Sequence, residues 1–262
     1  MKMTRRILYF LVILLLTTSC STLKKLNGSN DPAETYKNYS ENQLFNLAEK
    51  SLAKGKFPAA TRYYEALATL YPFGEHSQQA QLDSIYAFYG NGDYSSASAA
   101  ADTYIHLYPR SEHADYAYYM KGMSQMNDNK TFLQTKLPID MSSRDMTSTR
   151  EAFFTFRDLI QLYPDSYYVA AAHKHLIYLR NLFAKHELDV AKYYFDRKAY
   201  VAASNRASFI IQHYEGAPQE HDALIILIKS NRMLGANQAA DDAYRVFQAN
   251  YPDSKAVREL AQ

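Results

Sequence analysis

The chain has 262 residues, with 29 basic and 27 acidic side chains, a single cysteine and 24 tyrosines. Its first 19 residues hold three of the basic side chains and no acidic one, so the remainder carries 26 basic and 27 acidic side chains, a net charge of −1. This balance argues against a general nucleic-acid-binding surface, and one cysteine excludes an internal disulfide.

The N-terminus has the pattern of a signal peptide. A basic start is followed by an apolar run at residues 7–16, which is too short to span a bilayer as a helix of about 20 residues. The run ends in a segment that resembles a bacterial lipobox, with Thr17 where such motifs usually carry leucine. The resemblance implies cleavage after residue 19 and acyl chains on Cys20. A membrane anchor with a free cysteine is the alternative, and the short run disfavours it. The polar residues 20–39 are typical of a flexible tether.

A short pattern recurs five times in the rest of the chain and predicts helical hairpins. Each copy has a turn residue, an alanine five positions later and a tyrosine, usually followed by proline, at the far end. The turn positions are Gly55, Gly92, Thr147, Lys198 and Gly235. The pattern is typical of the tetratricopeptide helix–turn–helix repeat. Each hairpin exposes an apolar face that only a neighbouring hairpin can cover, so we predict an all-α, right-handed α-solenoid of five tetratricopeptide-like helix pairs.

The spacing of the repeats predicts two halves. Residues 40–166 form an N-terminal half of three repeats, with a loop insertion near 127–147 where the helical periodicity breaks. Apolar residues at helical spacing predict one long helix over residues 167–197. This helix bridges to a C-terminal half of two repeats, so the second half spans residues 167–262.

The sequence contains no catalytic motif. It has no nucleophile elbow, no phosphate loop and no zinc-protease helix. His173 and His175 are two positions apart, which places them on different faces of a helix, so they make a poor metal pair. We therefore expect neither an enzyme nor a metal or other cofactor, apart from the acyl chains on Cys20. The tyrosines outside the repeat pattern either pack in the core or line a groove for an extended peptide.

One segment carries a denser set of characteristic residues than the rest of the chain. They are Arg144-Asp145, Ala152-Phe153, Phe156, Tyr163-Pro164-Asp165-Ser166, Tyr168, Glu187, Val190-Ala191, Tyr193-Tyr194, Ala199-Tyr200 and Asn205-Arg206. This set resembles the BamD family of outer-membrane protein assembly factors. The repeat number, the long helix and the lipobox extend the resemblance over the whole chain after the signal peptide.

The resemblance implies a non-catalytic scaffold of the β-barrel assembly machinery, lipid-anchored at the periplasmic face of the outer membrane. Its C-terminal repeats would dock on the barrel-forming subunit BamA through Asn205 and Arg206. Arg144 and Asp145 are further candidates for partner binding, and other assembly-machine lipoproteins are implied as partners. The alternative for Arg206 is an ion pair with an acid on its own helix.

The resemblance also implies that the N-terminal repeats bind unfolded outer-membrane β-barrel proteins through their C-terminal signal. This signal is extended and ends in an aromatic residue, which suits apolar pockets beside polar groups. The candidate groove residues are Tyr64, Tyr116 and Tyr119.

Two other functions remain open from the sequence. A pilotin-like lipoprotein that escorts a secretin to the outer membrane would also be a lipidated repeat protein, but it would not need the insertion near 127–147. A periplasmic enzyme with accessory repeats would need a separate catalytic domain, and no segment of about 50 residues or more is left unassigned to form one.

Overall fold

A computed structural model describes residues 31–128 and 145–261. Within these ranges the chain forms twelve α-helices and no β-strand. The described residues divide into two compact units, the first ending at residue 100 and the second beginning at residue 101. The predicted signal peptide, Cys20 and most of the predicted insertion, including Arg144, lie outside the described residues.

The helices follow one another as five pairs with one short helix at each end. The first unit contains α1 (Pro32–Thr35), α2 (Glu41–Leu52), α3 (Phe57–Leu70) and α4 (Ser77–Gly90), and α5 (Tyr94–Leu107) begins in the first unit and ends in the second. The second unit continues with α6 (Ala114–Asn127), α7 (Thr147–Leu162), α8 (Val169–Asp196), α9 (Tyr200–His213), α10 (Glu220–Met233), α11 (Asn237–Asn250) and α12 (Lys255–Glu259). The pairs are α2–α3, α4–α5, α6–α7, α8–α9 and α10–α11. The prediction of a tetratricopeptide-like helical solenoid with five pairs is thus confirmed.

The start of the first pair follows from its sequence. The Ser40 hydroxyl accepts a hydrogen bond from the Gln43 backbone amide at 3.3 Å, and the Gln43 side chain accepts one from the Ser40 amide at 2.9 Å. This reciprocal capping box satisfies two amides that have no partner within the helix. Pro58 lies in the first turn of α3, where its missing amide costs no helical hydrogen bond.

The alanine of the repeat pattern is a core residue in every helix pair. The alanine of the repeat pattern is at most 1% exposed in all five copies, at Ala60, Ala97, Ala152, Ala203 and Ala240. Because a methyl group occupies little space, larger side chains from the neighbouring helix pack over it. The tyrosine of the pattern is equally regular: in each copy its backbone amide donates to the carbonyl four residues earlier and ends the second helix of the pair, at Tyr71, Tyr108, Tyr163, Tyr214 and Tyr251.

Four of the five predicted turn positions have left-handed backbone. Gly55, Gly92 and Gly235 have φ of 65°, 77° and 73°, and Lys198 has φ of 62°. The prediction is wrong for Thr147, which is the first residue of α7. The reason is that α7 has 16 residues whereas the second helices of the other pairs have 14, so the position five residues before its alanine already lies in the helix.

The predicted long helix is confirmed as α8, which has 28 residues. It packs against α7 on one side and α9 on the other. This continuous packing joins the helices on either side of residue 166 within the second unit. Leu179 and Phe183 join the core with α7, and Leu188 and Ala191 join the core with α9 and α10.

Candidate functional site

The two predicted docking residues lie together in an open groove of the second unit. Asn205 and Arg206 are exposed on α9, and the groove has a volume of about 390 Å³. Its other lining residues are Ala202 and Phe209 of the same helix and Tyr194 of α8. Residues three or four positions apart share one face of a helix, so Ala202, Arg206 and Phe209 form a continuous stripe. The groove therefore combines a cation, an amide and two aromatic rings.

Arg206 is held by an acidic residue of the preceding helix. Its Nη1 donates to Oε2 of Glu187 at 2.8 Å. The Glu187 side chain is 14% exposed, whereas that of Arg206 is 46% exposed. A guanidinium has five N–H donors, so an arginine bound through Nη1 retains donors for a second carboxylate. The predicted alternative of a pair within one helix is corrected, because Glu187 belongs to α8 and Arg206 to α9.

The apolar side of the groove is supported by further rings. Phe209 is 39% exposed, and its ring centroid lies 4.2 Å from that of His213 and 5.7 Å from that of Tyr214. Burial raises the pKa of the Tyr214 hydroxyl, and the negative charge of Glu187 raises it further. The phenol is therefore neutral over the physiological pH range, and Phe209 packs against an uncharged Tyr214 ring.

Asp145 has a local structural role. Its carboxylate accepts hydrogen bonds from the Thr147 amide at 3.0 Å and from the Thr147 hydroxyl at 2.7 Å. These bonds, the hydroxyl contact first, lower the pKa of the Asp145 carboxyl. An anion at this position also suits the positive end of the α7 dipole. Arg144, its partner in the predicted pair, lies outside the described residues.

Tyr64 is a core residue, which corrects its assignment to a peptide groove. It is 2% exposed, and its hydroxyl donates to the Glu49 carboxylate of α2. Burial, and then this hydrogen bond, raise the pKa of the phenol. The pocket beside Tyr64 between α3 and α4 has a volume of about 30 Å³, enough for one or two waters. A peptide side chain cannot reach the ring there.

Tyr116 and Tyr119 belong to an aromatic cluster in the second unit. The ring centroid of Tyr119 lies 4.7 Å from that of Tyr168 at an interplanar angle of 20°, and that of Tyr116 lies 5.9 Å from the same ring. Tyr167 contacts Tyr168 edge-on at 5.5 Å and is 90% exposed. We call these four residues the tyrosine cluster. Three of its rings are half-buried, and Tyr167 alone is presented to solvent.

A hydrogen bond fixes the turn that carries Tyr167 and Tyr168. The Ser166 hydroxyl donates to the Asp115 carboxylate of α6 at 2.5 Å. The same hydroxyl accepts from the Tyr168 amide at 3.1 Å. The exposed ring of Tyr167 thus projects from a turn that is tied to α6.

His175 packs among aromatic rings. Its ring lies 4.9 Å from that of Phe156, and burial lowers the pKa of the imidazole. His173 is exposed, as expected for a residue two positions away on a helix. Over residues 31–128 and 145–261, no group of three or more His, Cys, Asp or Glu side chains is placed to hold a metal ion. In the same ranges no helix combines the length and apolar character needed to cross a membrane.

Sequence reasoning did not assign Phe209 or Glu187 to the groove. Phe209 could have been identified from the sequence, because it lies three residues after Arg206 and so shares the same helix face. Glu187 lies 11 residues before the turn residue Lys198, and Arg206 lies 8 residues after it. Helical spacing alone does not identify which residues meet across a hairpin.

The tandem helix pairs define a helical repeat protein of the tetratricopeptide type. A family model described as outer membrane lipoprotein (YfiO) matches residues 37–246. Together with the relatives that follow, this match shows that the chain belongs to that family of outer membrane lipoproteins, which includes the BamD assembly factors.

Three relatives illustrate the similarity. Outer membrane protein assembly factor BamD of Xylella fastidiosa strain Temecula1 is 33% identical over 255 residues, covering 96% of this chain and 86% of the relative. BamD of Neisseria meningitidis serogroup A is 33% identical over 251 residues, covering 95% of this chain and 92% of the relative. BamD of Haemophilus influenzae is 31% identical over 243 residues, covering 93% of this chain and 89% of the relative.

Proposed function

We propose that this protein is a non-catalytic scaffold of the outer-membrane β-barrel assembly machinery. Its relatives are named assembly factors of outer membrane proteins, and they match over nearly their whole length. On this proposal the protein works by binding other chains, and acyl groups on Cys20 hold it at the periplasmic face of the outer membrane. Stable anchoring by this route requires more than one acyl chain.

The groove around Arg206 is the observation that carries the docking part of the proposal. An exposed cation beside apolar rings suits a partner surface with a carboxylate next to an apolar side chain. We assign this surface to the barrel-forming subunit BamA. A charge-assisted hydrogen bond of this type contributes about 1.5–3 kcal/mol when it is well desolvated.

The tyrosine cluster supports the second part of the proposal, recognition of unfolded barrel proteins by their C-terminal signal. An aromatic residue that ends an extended peptide can pack against the exposed ring of Tyr167, while Tyr116 and Tyr119 support the cluster from α6. Aromatic pairs contribute about 0.5–1.5 kcal/mol beyond the area that they bury. Tyr64 plays no part in this surface, because it is buried.

Affinity purification from detergent-solubilised envelopes tests the docking proposal. The full-length lipidated protein and its Arg206→Glu variant are purified side by side, and the recovered proteins are identified by mass spectrometry. We expect BamA with the native protein and a strong loss of BamA with the variant, whose thermal unfolding midpoint shows that it is folded. Equal recovery of BamA by both proteins contradicts the assigned contact, and recovery of a secretin ring supports a pilotin-like function instead.

A further inference from the structure

We propose that Glu187 is a positioning residue: it holds Arg206 in the orientation that docking requires and thereby selects a partner with a carboxylate beside an apolar side chain. This inference rests on the proposed function, since it concerns the same groove. It assigns a role to a residue that does not itself face the partner.

The exposures of the two side chains separate their roles. Glu187 is 14% exposed and Arg206 is 46% exposed, although they are bonded to each other at 2.8 Å. A docked partner therefore reaches the guanidinium from the open side of the groove, while Glu187 holds it from behind. A free arginine side chain samples many rotamers, and their loss on binding opposes association. An arginine that is already bonded to α8 loses fewer rotamers when the partner binds.

The charge of Glu187 also acts when the groove is covered. Docking removes water from the guanidinium, and a buried cation without an anion is unfavourable. Glu187 supplies an anion on one side and the partner supplies one on the other. The two carboxylates repel each other, but the guanidinium lies between them, so this repulsion acts over a longer distance than either attraction. The partner's carboxylate is therefore still attracted to the pair, and Glu187 lowers the cost of removing water from the guanidinium.

The other lining residues determine which side chain the groove accepts beside the partner's carboxylate. Phe209 and Tyr194 flank the arginine, and Ala202 leaves room between them within the volume of about 390 Å³. An apolar side chain next to the partner's carboxylate fills this space, whereas a second charged side chain there would lose its water without gaining a partner. The groove thus favours an acidic residue flanked by an apolar one.

Binding measurements on Glu187 variants test this role. The full-length protein in detergent is titrated with the soluble periplasmic domains of BamA as the probe. We expect Glu187→Ala to raise the dissociation constant about three- to tenfold, the range for one newly immobilised long side chain. Glu187→Gln retains an acceptor at the same place but has no charge, so it should recover only part of the affinity. Asp189→Ala is the matched control, since Asp189 forms an exposed ion pair with Lys185 on the same helix, and it should leave the dissociation constant unchanged.

The outcomes distinguish the two proposals. If Arg206→Glu binds the probe as tightly as the native protein, the proposed docking contact is wrong. If Arg206→Glu fails to bind but Glu187→Ala binds equally well or more tightly, docking stands and the positioning role is overturned. Glu187→Met, which keeps the length of the side chain but has no acceptor, should weaken binding as alanine does, and it decides the question if the alanine variant does not fold.

Discussion

Lys198 and Gly235 hold the same left-handed backbone conformation at equivalent turns of successive helix pairs. Their φ angles are 62° and 73°. Glycine adopts this region without cost, whereas a side chain with a β-carbon is disfavoured there by about 1–2 kcal/mol. The repeat thus imposes its turn geometry even where the sequence does not provide glycine, and the turn between α8 and α9 is strained.

Lys198→Gly should stabilise the protein. Relief of the left-handed strain outweighs the greater freedom that glycine gives the unfolded chain, so we expect a gain of about 0.5–1 kcal/mol in the free energy of unfolding. Chemical denaturation monitored by circular dichroism measures this difference. The reciprocal variant Gly235→Lys should lose about 0.5–1 kcal/mol, and a loss of stability in Lys198→Gly would contradict the strain.

Ala203→Leu should destabilise the second unit. Ala203 is fully buried in the core shared by α8, α9 and α10, so the added carbons force neighbouring side chains from their rotamers at a cost of about 1–3 kcal/mol. Denaturation in urea provides the measurement. Val201→Leu is the control two positions away, because Val201 is 60% exposed and a larger side chain fits there. Equal effects of the two changes would argue against close packing at Ala203.

His175 should make stability depend on mildly acidic pH. Burial lowers its pKa in the folded protein, so the unfolded chain takes up the proton first as the pH falls below about 6.5. The contribution of His175 to the free energy of unfolding is therefore fully present above this pH. It decreases below this pH and is lost below the pKa of His175 in the folded protein. Thermal midpoints between pH 7.5 and 5 should fall less steeply in His175→Gln than in the native protein. An equally steep fall in His175→Gln and in the native protein would contradict this role of His175.

The helix pairs were predictable because their signals are local and repeated. The alanine and tyrosine positions recur at fixed spacing, and every copy takes the same structural place. The errors arise where tertiary packing decides. The sequence analysis proposes Tyr64 as a groove residue, but helical spacing does not say whether the helix face that carries it lines a groove or is buried. The pairing of Glu187 with Arg206 likewise depends on how two helices meet, which one sequence does not contain.

Tyr167→Ala should weaken binding of peptides that end in an aromatic residue. Tyr167 is 90% exposed and rests edge-on against Tyr168, so a peptide ring gains one aromatic contact there. We expect a loss of about 0.5–1.5 kcal/mol, or roughly three- to tenfold in the dissociation constant, by fluorescence anisotropy with a labelled barrel-protein C-terminal peptide. Tyr178→Ala removes another exposed tyrosine, 51% exposed on α8, and serves as the control. Equal effects of both changes would exclude Tyr167 as the contact.

Exchanging the two charges of the Glu187–Arg206 pair tests the docking role of Arg206 most directly. The double variant Glu187→Arg/Arg206→Glu keeps an ion pair between α8 and α9, so its thermal midpoint should stay closer to the native value than that of Arg206→Glu alone. It presents a carboxylate to the groove where the native protein presents a guanidinium. We predict that the folded double variant no longer binds the periplasmic domains of BamA, because its new carboxylate repels the partner's acid. Binding with native affinity by the double variant would show that the pair serves only to join the two helices.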